Sequence, residues 1–197
     1  GLFLEILSTM ARDTRVSLKR RFRSPVNLSS KFLTEATNLV SLYPPDLKPG
    51  DPVRGENWLA GDYTLTGALV KVADTSPFEV PVANTKWVEA LHGFDWLRHV
   101  CALQAPRGPR AAAFYIQDWI RRNPVRVKEA MRPHIIARRL MNWSAALPTI
   151  MPELERRDAD KIRQALNQQS KFLSKCVDEE NNGVQRLIGA FGLAHAG

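Results

Sequence analysis

A mainly α-helical fold built from antiparallel helical hairpins is predicted for this 197-residue chain. Three observations predict it. Apolar residues recur at helical spacing from about residue 84 onward, short proline-containing links join the periodic stretches, and the stretch before them carries too much proline and glycine for long helices. A bundle, a solenoid and a toroid all satisfy this pattern, and the lack of a fixed-period repeat disfavours a regular solenoid.

The elements follow in order. Residues 2–23 read as one broken helix or two short ones, because 11–22 lacks glycine and proline until Ser24 and Pro25 stop it. Residues 25–84 read as an irregular wrapping segment, with prolines at 44, 45, 49, 52, 77 and 81 and glycines at 50, 55, 61 and 67. Inside it, residues 58–61, 63–66 and 69–72 carry the aromatic and β-branched bias of short strands, so a small β-hairpin is expected.

A first long helix is expected from a cap at Asn84 or Thr85 to about Leu103, with Trp87, Leu91, Phe94 and Cys101 inward. Pro109 suits the first turn of a second, which places Ala112, Ile116, Trp119 and Ile120 inward and breaks at Asn123 and Pro124. A third opens at Pro133, carries Ile136, Leu140, Trp143 and Leu147 on one side, and is expected to end at Pro148 and Pro152. A fourth, from near Pro152 to about Glu180, has the stripe Ala159, Ile162, Leu166, Leu173 and Cys176. Asn181, Asn182 and Gly183 signal a turn before a fifth helix from Val184, apolar nearly all round, which suggests a chain cut inside a domain. The implied organisation is 1–24 basic and helical, 25–84 wrapping, and 85–197 helical.

Composition narrows the function classes. A 44% hydrophobic content is enough for a real core, and no apolar run approaches the length of a membrane span. Cys101 and Cys176 make no disulfide framework and read as buried free thiols. The net charge of +8 favours an anionic partner, whether nucleic acid, acidic lipid or acidic glycan. Half of that excess lies in the first 25 residues, where Arg12, Arg15, Lys19, Arg20, Arg21 and Arg23 form either a solvated helix face or a phosphate-binding arm. No nucleic-acid motif accompanies them, so nucleic acid ranks last as a partner.

Two constellations can carry recognition. His92, Trp96 and His99 fall at i, i+4 and i+7 of the first long helix, where two imidazoles flanking an indole suit a sugar ring or simply surround a core tryptophan. Arg139 and Asn142 share a face of the third helix beside Trp143, an arrangement able to hold a carboxylate or sulfate through the guanidinium fork, or to form a structural salt bridge. Tyr115 and Trp119, one turn apart, fit core packing. No zinc spacing, nucleophile elbow or phosphate loop is present, and no cofactor is expected.

The stretches 76–81 and 87–99 (Trp87, Leu91, His92, Phe94, Trp96, Leu97, His99), then Trp119 with Asn123, and then 132–143 (Ala137, Arg138, Arg139, Leu140, Asn142, Trp143) resemble the N-terminal helical region of heparinase II/III-like proteins. The resemblance runs through residues 55–197 and implies an incomplete (α/α) toroid, closed in the full-length protein by a C-terminal β-sandwich domain. It further implies a polysaccharide lyase acting on an acidic, uronate-containing glycan by β-elimination. His92, Trp96, His99, Arg139, Asn142 and Trp143 would bind and orient the substrate. Asn181 or Asn182 would neutralise its carboxylate, although glycine follows them where the family often has histidine, so the fragment is expected to be inactive. The alternative reading is a non-catalytic helical module that binds carbohydrate or another anion. Compartment stays open: cytoplasmic if Gly1 is near the native start, periplasmic if an export signal has been removed.

Overall fold

The computed structural model describes residues 48–72 and 75–176. The basic segment 1–24, the pair Asn181 and Asn182, and the helix expected from Val184 all lie outside the described residues. Within them the chain is mostly helical with one two-stranded antiparallel sheet, as the sequence predicts. The order is α1 (Pro52–Leu59), β1 (Asp62–Leu65), β2 (Ala68–Lys71), α2 (Thr85–Gly93), α3 (Leu97–Cys101), α4 (Arg107–Arg122), α5 (Pro133–Ile150) and α6 (Arg156–Cys176), with 3₁₀ turns at Pro77–Glu79, Glu129–Met131 and Met151–Glu153.

Local chemistry sets each boundary. Asp51 caps α1 by accepting from the Val53 amide at 2.9 Å, and Pro52 fills the first turn, where no amide partner is needed. This corrects the strand expected at 58–61, since Trp58 and Leu59 belong to α1. Thr66 and Gly67, at φ 50° and 80°, turn the hairpin so that Leu65 faces Ala68. Two successive positive φ values match the right-handed twist of paired strands. Asn84 caps α2 through the Trp87 amide at 3.2 Å.

The first long helix predicted by periodicity is in fact two. Phe94 adopts a left-handed conformation (φ 62°) that ends α2, and α3 starts three residues later. His92, Trp96 and His99 therefore do not share a single helical face. At the other end of the domain α5 runs through Pro148 and ends at Ile150, between the two prolines expected to stop it. A proline forfeits its own amide bond and crowds the carbonyl four residues back, and here only the end of the last turn lies beyond it.

Helix α5 is the centre of the fold and packs against α2, α3, α4 and α6. Its Ile135, Ile136, Leu140, Trp143, Leu147 and Ile150 are fully buried. The N-terminal layer closes over α3: a Cβ at Gly55 would sit 2.3 Å from the His99 carbonyl oxygen, so α1 can approach only because that position has no side chain. Gly55→Ala is expected to destabilise the fold by about 1–3 kcal/mol, read as a lower urea midpoint at unchanged m-value. An unchanged midpoint would mean that the two helices can separate freely.

Candidate functional site

The site grows from the break between α2 and α3. When Phe94 turns left-handed, the carbonyls of the last turn of α2 lose their helical donors, and a buried helix end needs others. Two residues of α5, three positions apart and on one face, supply them. Arg139 donates through Nη1 to the His92 carbonyl at 2.9 Å, and Asn142 donates through Nδ2 to the Gly93 carbonyl at 2.8 Å and to Asp95 Oδ1 at 3.0 Å. A cation at a helix C-terminus also suits the helix dipole.

Arg139 is completely buried. Besides His92, its Nη1 donates to the Ala130 carbonyl at 3.2 Å, its Nε donates to Gln169 Oε1 on α6, and its Cζ lies 4.1 Å from the centre of the Trp119 ring. No carboxylate among the described residues pairs with it. Burial pulls the guanidinium down to about 9, which still leaves it charged at neutral pH. Trp119 donates from Nε1 to His92 Nδ1 at 3.0 Å, so that imidazole nitrogen is an acceptor and the ring is neutral. Burial, with the Arg139 charge adding to it, pushes His92 down to about 3.

That shift has a sign. Unfolded His92 takes up a proton near pH 6.5, whereas the folded residue refuses it until about pH 3, so acid favours the unfolded chain throughout that window. His92→Gln, which keeps an acceptor for Trp119, is expected to flatten the pH dependence of unfolding by about 1.4 kcal/mol per pH unit between pH 6 and pH 4. Parallel urea titrations of the two proteins at several pH values measure it; identical slopes would contradict a neutral His92.

Trp96, His99 and Trp143 are also interior. Trp96 stacks on Trp58 with ring centres 3.7 Å apart and planes 7° from parallel, stacks on Phe94 at 5.0 Å, and donates from Nε1 to the Leu91 carbonyl at 3.0 Å. His99 accepts at Nδ1 from the Asp51 amide at 2.9 Å, tying α3 to the cap of α1. Trp143 is buried, edge-on to Phe94 and Trp119. Asn142 is half-buried. A single file of rings runs from Trp58 through Trp96 and Phe94 to Trp119, where Arg139 lies over the face. Trp96 and Arg139 thus belong to one core rather than to the lining of one open groove.

Two partners escaped sequence reasoning. Gln169 lies on the buried stripe of α6 between Leu166 and Leu173, and a polar residue at an apolar register position is the signal that marks it. Asp118 is buried on α4 and accepts from Ser76 Oγ at 2.6 Å, Arg121 at 2.6 Å and Arg122 at 2.9 Å, with Arg122 also pairing with Glu79. Burial alone would raise its pKa, but these donors outweigh it and hold the carboxyl below the usual range. Arginines three and four positions after an aspartate are legible as helix pairs, whereas the reach to Ser76 is not.

Beside Arg139 lies a cavity of about 60 Å³ lined by Trp119, Ile136, Arg139, Gln169 and Phe172, with exposed Asn123 at its edge. Among the described residues no group of three or more His, Cys, Asp or Glu side chains could hold a metal ion, and no helix is long and apolar enough to cross a membrane.

No family model matches the chain, and no solved structure matches it. The chain is similar to FtsZ-localized protein C of Caulobacter vibrioides (strain NA1000 / CB15N), 28% identical over 156 residues, which cover 79% of this chain and 27% of that protein. It therefore spans about a quarter of the length of that relative. This finding overturns the heparinase II/III-like resemblance: the similarity that extends over most of the chain is to a protein named for its localisation with FtsZ, and nothing points to a polysaccharide lyase or to an acidic polysaccharide as partner.

Proposed function

We propose that this chain is a helical protein-interaction region of a cell-division-associated protein, which brings its carrier to FtsZ-containing assemblies through contact with a protein partner. The single observation that carries the reading is the similarity to FtsZ-localized protein C along 79% of the chain. The interior supports it. His92, His99, Asp118 and Arg139 each hold a backbone or side-chain group of a neighbouring element in place, which is the chemistry of a rigid scaffold. The net charge of +8, with Arg126, Lys128, Arg156 and Arg157 exposed, suits a partner surface rich in carboxylates. The finer architecture belongs to the same proposal: α2 to α6 form helical hairpins of an incomplete (α/α) toroid.

A fluorescent fusion of the full chain, imaged in cells whose FtsZ carries a second colour, tests the reading. Coincident bands that disperse when FtsZ is depleted are expected. A uniform distribution, or a band that persists after depletion, would overturn it.

A further inference from the structure

We infer that the cavity over Arg139 is a binding site for a single carboxylate carried on a short aliphatic stem. The donor inventory points there. The guanidinium has five N–H groups; Nε and the two on Nη1 are used by Gln169, His92 and Ala130, which leaves both hydrogens of Nη2 without an acceptor among the described residues. Gln169 uses its oxygen on Arg139 and leaves Nε2 equally unmatched. Both residues are more than nine-tenths buried and both line the cavity. Unsatisfied donors on a buried cation are costly, and one acceptor group with two oxygens satisfies Nη2 and Nε2 together.

Charge and shape select the class. The site holds one formal positive charge, because the neighbouring imidazole of His92 accepts from Trp119 and is neutral. A monoanion balances that charge, whereas a phosphate dianion would bury a second negative charge without a counter-ion. Away from the two donors the lining is largely apolar, with Met131, Ile136, Ala165 and Phe172, and this accommodates a few methylenes. Exposed Asn123 and half-buried Gln168 form the mouth. The carboxylate can be that of a free short-chain acid or of a glutamate side chain, and the two sources are separable.

The full chain is titrated at constant ionic strength with propionate, with N-acetylglutamate amide and with phosphate, following tryptophan fluorescence and Tm. Saturable binding is expected, with at least tenfold preference for a carboxylate over phosphate and a Tm rise of about 5 °C at a hundredfold excess over its Kd. A response to both carboxylates identifies the free acid as sufficient, and a response to N-acetylglutamate amide alone identifies the side chain; either supports the site. Gln169→Glu supplies a carboxylate from within and should both raise Tm and abolish the response. No saturable response to either carboxylate, equal binding of phosphate, or a Gln169→Glu protein that responds like wild type would overturn the proposal.

Discussion

Arg139→Ala is expected to destabilise the fold by about 3–5 kcal/mol. The substitution leaves three buried acceptors, the carbonyls of His92 and Ala130 and Oε1 of Gln169, without their donor. Each stranded group costs about 1–3 kcal/mol, partly offset because the burial of a charge is no longer needed. The excised side chain also leaves a void beneath Trp119 at the meeting point of α2, α5 and α6. Arg139→Lys separates charge from geometry. An ammonium on a flexible stem cannot face three acceptors from a fixed plane, so a loss of about 2 kcal/mol is expected despite the retained charge. Urea unfolding followed by circular dichroism reads both. If the lysine protein matches wild type, the positive charge rather than the planar fork holds the break in place.

Trp96→Ala follows, with an expected loss of about 3–5 kcal/mol. The indole is 2% exposed and lies between Trp58 and Phe94, so truncation opens a cavity that those rings cannot collapse to fill without giving up their own contacts with Tyr115 and Trp119. Trp96→Phe keeps a stacking face and loses the Nε1 bond to the Leu91 carbonyl, for an expected cost of about 1–2 kcal/mol. The comparison is informative because an indole that lined a groove would be replaceable by alanine at a cost below about 1 kcal/mol. Near-ultraviolet circular dichroism of the two variants, with denaturant midpoints, distinguishes the cases.

Periodicity reveals the helices, and aromatic and β-branched bias reveals the hairpin, because both are local. The stripe of Ile136, Leu140, Trp143 and Leu147 on α5 needs no tertiary knowledge, nor does the cap at Asn84. The break at Phe94 was hidden for the opposite reason. A bulky residue at positive φ is unfavourable on its own and persists here because Arg139 and Asn142, far along the chain, satisfy the carbonyls it strands. The same separation explains the site. That Arg139 and Asn142 share a face was readable from their spacing, but that the face meets the end of α2 rather than an open cleft depends on how α5 docks. Gln169 was readable as an anomaly in its stripe, without the guanidinium that explains it. Trp58 reads as strand in the sequence because its partner Trp96 lies across the core, and aromatic bias alone does not tell a strand from a short capped helix.

The proposed function requires the chain itself to make the contact that leads to FtsZ-containing assemblies. Sedimenting polymerised FtsZ with the full chain in cleared cell lysate, at rising salt and beside a mixture lacking FtsZ, measures that contact, whether to FtsZ or to a protein bound to it. The chain should pellet with the polymer in a saturable manner, and less as salt screens its basic surface. A chain that stays in the supernatant at every salt concentration, while the polymer pellets normally, would contradict it.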